Sequence, residues 1–196
     1  MISLCCLLGV AGSLMSQNLS GGLILGFNTS QVDGDADGGF RQIGPVLGGF
    51  VNYPLTQKMD LQTELIFEQL GSVSKGRFFA IRTSHISVPI LATFPLDIDL
   101  GDEKRRLAFQ AGPVIGILLG AKDGVSGTDF STVYRQTDLR VQAGAGYHVS
   151  NRWELVLRYG YSVYSFLKGG ANPTYLRPGA PGLYHHYVQF SFRYGL

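Results

Sequence analysis

Residues 43–72 read IGPVLGGFVNYPLTQKMDLQTELIFEQLGS, and this stretch predicts a β-hairpin. Side chains alternate across a strand, so its second half has one mainly apolar face and one polar face with two carboxylates. These faces are Leu61, Thr63, Leu65 and Phe67, and Gln62, Glu64, Ile66 and Glu68. Pro54 lacks the N–H that a strand ladder needs, and the polar residues 56–58 follow it, which closes the first strand. The hairpin therefore has one apolar wall and one polar wall.

The same pattern returns along the rest of the chain and predicts eight strands. They cover residues 19–28, 46–53, 61–68, 86–94, 107–119, 138–149, 153–161 and 184–196. Short connections follow the second and sixth strands, an intermediate one (residues 95–106) follows the fourth, and long ones follow the first, fifth and seventh. Pro89 interrupts the fourth strand and predicts a β-bulge.

The fold class that this layout predicts is all-β, an eight-stranded antiparallel up-and-down transmembrane β-barrel. Short turns at one end and longer loops at the other are typical of outer-membrane barrels. Closure removes sheet edges, which hydrocarbon does not tolerate because unpaired backbone groups find no water there. The expected location is the bacterial outer membrane, with membrane lipid and lipopolysaccharide as neighbours.

Composition agrees with this fold class. Charged residues make up 15% of the 196 residues, against about 25% in a typical soluble domain. The formal net charge of +2 gives no indication of a nucleic-acid partner. A soluble ligand-binding barrel of the lipocalin type remains an alternative, because periodicity does not say which face is inside.

Residues 1–16, MISLCCLLGVAGSLMS, are uncharged and predict an export signal peptide. The barrel domain then covers residues 17–196. Cys5 and Cys6 lie within the signal, so the mature chain would have no disulfide framework and no cysteine metal site.

The polar faces of the strands predict a charged network in the lumen. An eight-stranded barrel is only wide enough to be filled by side chains, and buried charges there must pair. The third and seventh strands lie opposite each other, so Glu64 or Glu68 is expected to meet Arg158. The predicted network is Gln62, Glu64, Glu68, Arg140, Gln142, Arg158 and Arg193.

Two other patterns have a chemical interpretation, and neither is adopted. Asp33, Asp35 and Asp37 have the spacing of a calcium loop, but the glutamate at the twelfth position is missing, which favours a solvated surface loop. His185 and His186 near the loop rim, and His85 beside Ser84, are the residues a lipid-modifying enzyme would use. No nucleophile motif accompanies them, so both adjacent histidines are interpreted as surface residues. No catalytic residue, metal ligand or cofactor is assigned.

Several segments resemble a family of outer-membrane β-barrels from Bacteroidetes, described as porin-family or PorT-like. They are TELIF at residues 63–67, HISVPIL at residues 85–91, AFQAGPVIGILLG at residues 108–120 and RY at residues 158–159. Ser87 stands where a carboxylate is common in such segments. The resemblance implies a location and a fold and no catalytic set.

Three functions follow from this fold class. The favoured one is a structural or accessory barrel without enzymatic activity, which includes a subunit of a larger envelope complex for secretion or barrel assembly. Small outward residues (Gly49, Ala111, Ala143 and Ala145) would suit packing against a neighbour. The first alternative is a small porin-like channel, for which six inner glycines would leave room: Gly22, Gly26, Gly112, Gly116, Gly144 and Gly146. The second alternative is the membrane-embedded lipid-modifying enzyme.

Overall fold

A computed structural model describes residues 19–35, 38–76, 78–99, 104–169 and 176–196. The predicted signal peptide lies outside these residues. Eight strands follow one another in the chain. They are β1 (Ser20–Asp33), β2 (Gln42–Thr56), β3 (Met59–Val73), β4 (Ala80–Asp99), β5 (Lys104–Asp123), β6 (Thr137–His148), β7 (Trp153–Ser162) and β8 (Tyr184–Gly195). No helix within the described residues has the length and apolar character that a membrane-crossing helix needs.

The strands form one closed antiparallel barrel in which each strand pairs with its neighbours in sequence. The ring closes where β1 pairs with β8, from Gly22 opposite Gly195 to Asp33 opposite Tyr184. The predicted up-and-down barrel is therefore confirmed. Its strands have 10 to 20 residues, and about 9–11 tilted residues suffice to cross a bilayer.

The apolar faces of the strands point outward. Leu23, Leu25 and Leu65 are each about three-fifths exposed, whereas Glu64 and Glu68 on the other face of β3 are buried. The lipocalin-type alternative needs the reverse arrangement, with charges outside, and is wrong. At one end of the outer wall the rings of Trp153 and Tyr194 lie 5.0 Å apart, as expected for an interfacial aromatic pair.

The two ends of the barrel differ. The turn end carries the connections β2–β3, β4–β5 and β6–β7, and the loop end carries the four others. A cluster of buried apolar side chains closes the loop end from inside. This loop-end cap consists of Val32, Ile81, Ala121, Tyr134, Phe166, Leu167 and Leu183.

Two predictions about the β4–β5 hairpin are wrong. Residues 95–99 and 104–106 are not a connection but continue the strands, with Leu96 opposite Leu107 and Asp99 opposite Lys104. Once the hairpin register is set, the ladder continues through polar residues, because backbone pairing does not require apolar side chains. Pro89 forms no bulge either. The register of β4 is the same on both sides of it, and the irregularity lies between Ser84 and His85.

Candidate functional site: the charged lumen

All seven side chains of the predicted lumen network lie inside the barrel, none more than 3% exposed. Gln62, Glu64 and Glu68 come from β3, Arg140 and Gln142 from β6, Arg158 from β7 and Arg193 from β8. Each belongs to the inward set of its strand, so the two-residue period alone accounts for its direction. The structure joins six of them in three groups of contacts, each centred on one arginine, and Gln142 lies apart.

The first group crosses the lumen between β7 and β3. Arg158 donates to both oxygens of the Glu64 carboxylate, at 2.9 Å from Nη1 and 2.7 Å from Nη2. Its Nε and Nη2 also donate to the side-chain oxygen of Gln110, at 2.9 and 2.6 Å. Two parallel bonds between a guanidinium and a carboxylate fix both distance and orientation. The Glu64–Arg158 ion pair therefore spans the lumen in a fixed orientation.

The second group surrounds Arg193, nearer the turn end. Its Nη1 lies 3.0 Å from the Glu154 carboxylate, and its Nη2 donates to the side-chain oxygen of Gln62. The guanidinium lies 4.3 Å from the ring centre of Phe50, which is a cation–π distance. Gln62 in turn donates to Glu64, so the first two groups are connected.

The third group surrounds Arg140, nearer the loop end. Its Nη1 donates to Glu68 at 2.8 Å and its Nη2 to the Ser87 hydroxyl at 2.6 Å. Its Nε lies 3.4 Å from the carboxylate of Asp138. Arg140 thus stands between two carboxylates. Gln142 lies apart from this group and donates to Gln189 at 2.9 Å.

Inner glycines make room for these charged groups rather than for a channel. A Cβ on Gly116 would meet the guanidinium of Arg140, and one on Gly144 would collide with the backbone of Arg158. A Cβ on Gly146 would collide with the carboxylate of Glu154. Charged side chains therefore occupy the space that the channel hypothesis assigned to Gly116 and Gly146, and the backbone of the adjacent strand occupies it at Gly144.

The interpretation of His185 as a surface residue is wrong. Its side chain is fully buried and points into the lumen, where Nδ1 lies 2.8 Å from Asp138 and Nε2 lies 3.0 Å from the Thr83 hydroxyl. The two-residue period of β8 indicates this inward direction, because His185 lies on the same face of the strand as the inward Gln189 and Arg193. His186 faces the other way, against the rings of Tyr159 and Tyr161.

His85 is also inside the barrel and is not paired with Ser84. Its ring lies edge-on to that of His185 at 5.3 Å, while the Ser84 hydroxyl accepts a hydrogen bond from Gln69 at 3.3 Å.

The structure does not add support to the calcium-loop hypothesis, because Asp37 lies outside the described residues. Asp33 is 3.7 Å from His186.

Four cavities lined by described residues lie at the ends or on the outer wall of the barrel. Two at the loop end have volumes of about 480 and 410 Å³, and one of about 350 Å³ lies at the turn end. The fourth, of about 680 Å³, is an apolar groove on the outer wall over β5–β7. None of these four cavities crosses the layer of ion pairs in the lumen.

Comparisons with known proteins agree with this architecture. Residues 15–168 match the family model of the outer membrane protein beta-barrel domain. Neisserial surface protein A is similar in structure, with a TM-score of 0.53 at 12% identity over 91% of this chain and 99% of that one. So is Ail of Yersinia pestis, solved in complex with the heparin analogue sucrose octasulfate, with a TM-score of 0.50 at 13% identity over 91% and 99%. At such identities the likeness concerns the fold.

A search of curated protein sequences returned no match. The family model spans most of the chain and covers β1 to β7, including the residues that form the Glu64–Arg158 pair. The chain therefore belongs to the outer membrane protein beta-barrel domain family and is a small eight-stranded barrel of the bacterial outer membrane.

Proposed function

We propose that this barrel is a non-conducting structural or accessory component of the outer membrane and acts as a subunit of a larger envelope complex. The observation that carries the proposal is the plug: three arginines and four carboxylates fill the lumen side by side. Breaking one buried pair leaves a buried charge without its partner, which costs about 3–5 kcal/mol, so opening such a lumen is unfavourable. The loop-end cap adds a second, apolar barrier above the ion pairs.

Conductance tests the plug directly. We expect the purified barrel to add no steady ionic conductance to a planar lipid bilayer, because a solute would have to separate the Glu64–Arg158 ion pair to pass through the lumen. A large general porin, inserted under the same conditions, is the positive control. Insertion of the barrel must be verified independently by its protection from protease in the same lipid. A steady open level that scales with inserted barrel would overturn the proposal in favour of the porin-like alternative.

The outer wall supports the subunit role. Three of the small outward residues, Ala111, Ala143 and Ala145, line the apolar groove over β5–β7. Phe94 and Tyr159 flank it. Small residues let another backbone approach closely in a membrane, where packing rather than water exclusion drives association. Gly49 does not belong to this groove, because it pairs with Leu23 and Leu65 on the β1–β3 wall.

Replacing Ala143 by tryptophan would fill the groove. In a native outer membrane we expect the tagged wild-type chain to be extracted by mild detergent in a stoichiometric complex much larger than one barrel. Overpacking an interface costs about 1–3 kcal/mol, so A143W should lower the complexed fraction about tenfold.

The matched control for this variant is Leu65→Trp, which places the same side chain on the exposed outer face of β3. It should leave the complexed fraction unchanged. A lone barrel from wild-type membranes would contradict the subunit role. Equal loss of the complex with both variants would mean that the partner does not use this groove.

The loop end supports an interaction with lipopolysaccharide, which forms part of the proposal. The exposed side chains of Arg41, Lys75 and Arg82 line the cavity of about 480 Å³. Three cations around one cavity suit the phosphate groups of the lipopolysaccharide core. The resemblance of residues 63–67 and 85–91 to PorT-like proteins supports an origin in Bacteroidetes and a role in secretion or barrel assembly.

The proposal includes the absence of enzymatic activity. Thr83, His185 and Asp138 form a hydroxyl–imidazole–carboxylate series, the arrangement that activates a nucleophile in hydrolases. Each of these side chains is at most 2% exposed and lies beneath the loop-end cap. A lipid substrate would have to displace the cap to reach the hydroxyl. This burial argues for a binding or structural role of the three residues.

A further inference from the structure

Two histidines that the plug does not use meet one of its carboxylates, Asp138, between the arginines and the loop-end cap. His85 from β4, Asp138 from β6 and His185 from β8 each offer a ligand atom, and these atoms lie within 4.8 Å of one another. All three side chains are at most 2% exposed. Nδ1 of His85 is buried and has no hydrogen-bond partner among the described residues. A buried polar atom without a partner is costly, which indicates that something else satisfies it.

The balance of buried charges in the lumen also indicates a bound cation at His85, Asp138 and His185. The buried carboxylates of the network are Glu64, Glu68, Asp138 and Glu154, and its cations are Arg140, Arg158 and Arg193. Glu64 and Glu154 have Arg158 and Arg193 as partners, which leaves Arg140 to serve both Glu68 and Asp138. With both histidines counted as neutral, one negative charge is in excess. It lies at the three-residue cluster, because Arg140 contacts Glu68 at 2.8 Å and Asp138 only at 3.4 Å.

We propose that His85, Asp138 and His185 bind a divalent transition-metal ion of the zinc class inside the barrel. Two imidazoles and one carboxylate are a ligand set that such ions prefer, whereas calcium and magnesium favour oxygen ligands alone. The ion would supply the missing positive charge and a partner for the unpaired nitrogen of His85. The inference is independent of whether the barrel conducts or joins a complex.

The surroundings suit a bound ion. Ligand–metal bonds of about 2.0–2.1 Å place tetrahedral ligand atoms about 3.3 Å apart. Nδ1 of His185 and the Asp138 oxygen, now 2.8 Å apart, would separate slightly, and the ring of His85 would turn toward them. Ser162 donates to the other oxygen of Asp138 at 2.9 Å, and Thr83 lies 3.0 Å from the far nitrogen of His185. These contacts would orient the ligands from behind, as neighbours of metal ligands commonly do.

The ion would join three strands that are not neighbours in the barrel. β4, β6 and β8 alternate with β5 and β7, so the ion would connect positions around the lumen at one height. Because the cluster lies beneath the loop-end cap, the metal would enter while the barrel folds rather than afterwards. Loading during folding and resistance to later removal follow from this position.

The test is refolding of the full chain from denaturant into detergent micelles, with either a stoichiometric amount of Zn²⁺ or a chelator. After gel filtration we expect about one zinc ion per wild-type chain, and a thermal midpoint several degrees above that of the chelator sample. In His85→Ala, bound zinc should fall to below about 0.2 ions per chain, and the zinc-dependent shift should disappear. His186→Ala is the matched control, since this neighbouring histidine points outward. It should retain both.

A second readout does not depend on any variant. Wild-type chain refolded with Co²⁺ should show the visible absorption of a tetrahedral cobalt site, and excess zinc added during refolding should abolish it. A wild-type chain with neither bound zinc nor a cobalt spectrum would overturn the proposal. Zinc retained in full by His85→Ala would overturn it as well, because the ion would then lie elsewhere.

Discussion

Replacing Glu64 by alanine is expected to lower the free energy of unfolding by about 3–5 kcal/mol, since it leaves a buried guanidinium without its carboxylate. Arg158 is 1% exposed and donates two hydrogen bonds to Glu64. Among the described residues, its other hydrogen-bond acceptor is the neutral side-chain oxygen of Gln110. Urea unfolding of the barrel in detergent or lipid, followed by circular dichroism, measures the loss.

Two further variants make this result interpretable. Combining Glu64→Leu with Arg158→Leu removes both charges, and well-packed apolar side chains commonly replace a buried ion pair at little cost, so most of the stability should return. Lys58→Ala in the exposed β2–β3 turn is the control for loss of a surface charge and should change stability by less than about 0.5 kcal/mol. A loss below about 1 kcal/mol in Glu64→Ala would mean that water reaches the pair and that the lumen is wetter than the structure indicates.

Replacing Phe166 by alanine is expected to lower the free energy of unfolding by about 3–5 kcal/mol, the usual range for emptying a buried aromatic site. Phe166 is 2% exposed and lies at the centre of the loop-end cap. Its ring stacks on that of His185 at 4.0 Å and meets that of Tyr134 edge-on at 5.1 Å. The same unfolding measurement applies.

Phe78→Ala is the matched control, because Phe78 also lies in a loop-end connection but is 87% exposed. It should have little effect on stability. If the two phenylalanine variants unfold alike, the cap does not contribute to the stability of the barrel. Protease sensitivity of the long loops provides a second readout, since the cap ties the β7–β8 connection to β1, β4 and β5.

The proposed conductance, co-purification and metal measurements address separate parts of the molecule. The plug concerns the middle of the lumen, the groove concerns the outer wall, and the metal cluster lies beneath the cap. Failure of one therefore leaves the other two open to test. A non-conducting barrel that binds zinc and purifies alone would remain a structural protein, with its partner groove filled by lipid.

Local periodicity was sufficient to predict the barrel and most of the plug. Glu64, Arg158 and Arg193 were assigned inward from their strand parity, and the pairing of Glu64 with Arg158 follows from the opposite positions of β3 and β7 in a ring of eight. Charge then requires partners to meet in a dry lumen. Strand parity also places the side chain of His185 inward. Its adjacency to His186 nevertheless favours a surface interpretation of both histidines, which is wrong for His185.

What the sequence alone determined is therefore the two-residue alternation, which divides the side chains of each strand into an apolar and a polar face. The structure decided that the apolar face is the outer one and that the sheet closes. Tertiary structure decided which inward groups touch. Glu154 meets Arg193, Asp138 meets His185, and His85 lies beside both because closure and stagger set the height of each strand relative to strands far away in sequence. The physical reason is range: alternation is fixed by neighbouring peptide units, whereas contacts across a barrel depend on the register of all eight strands together.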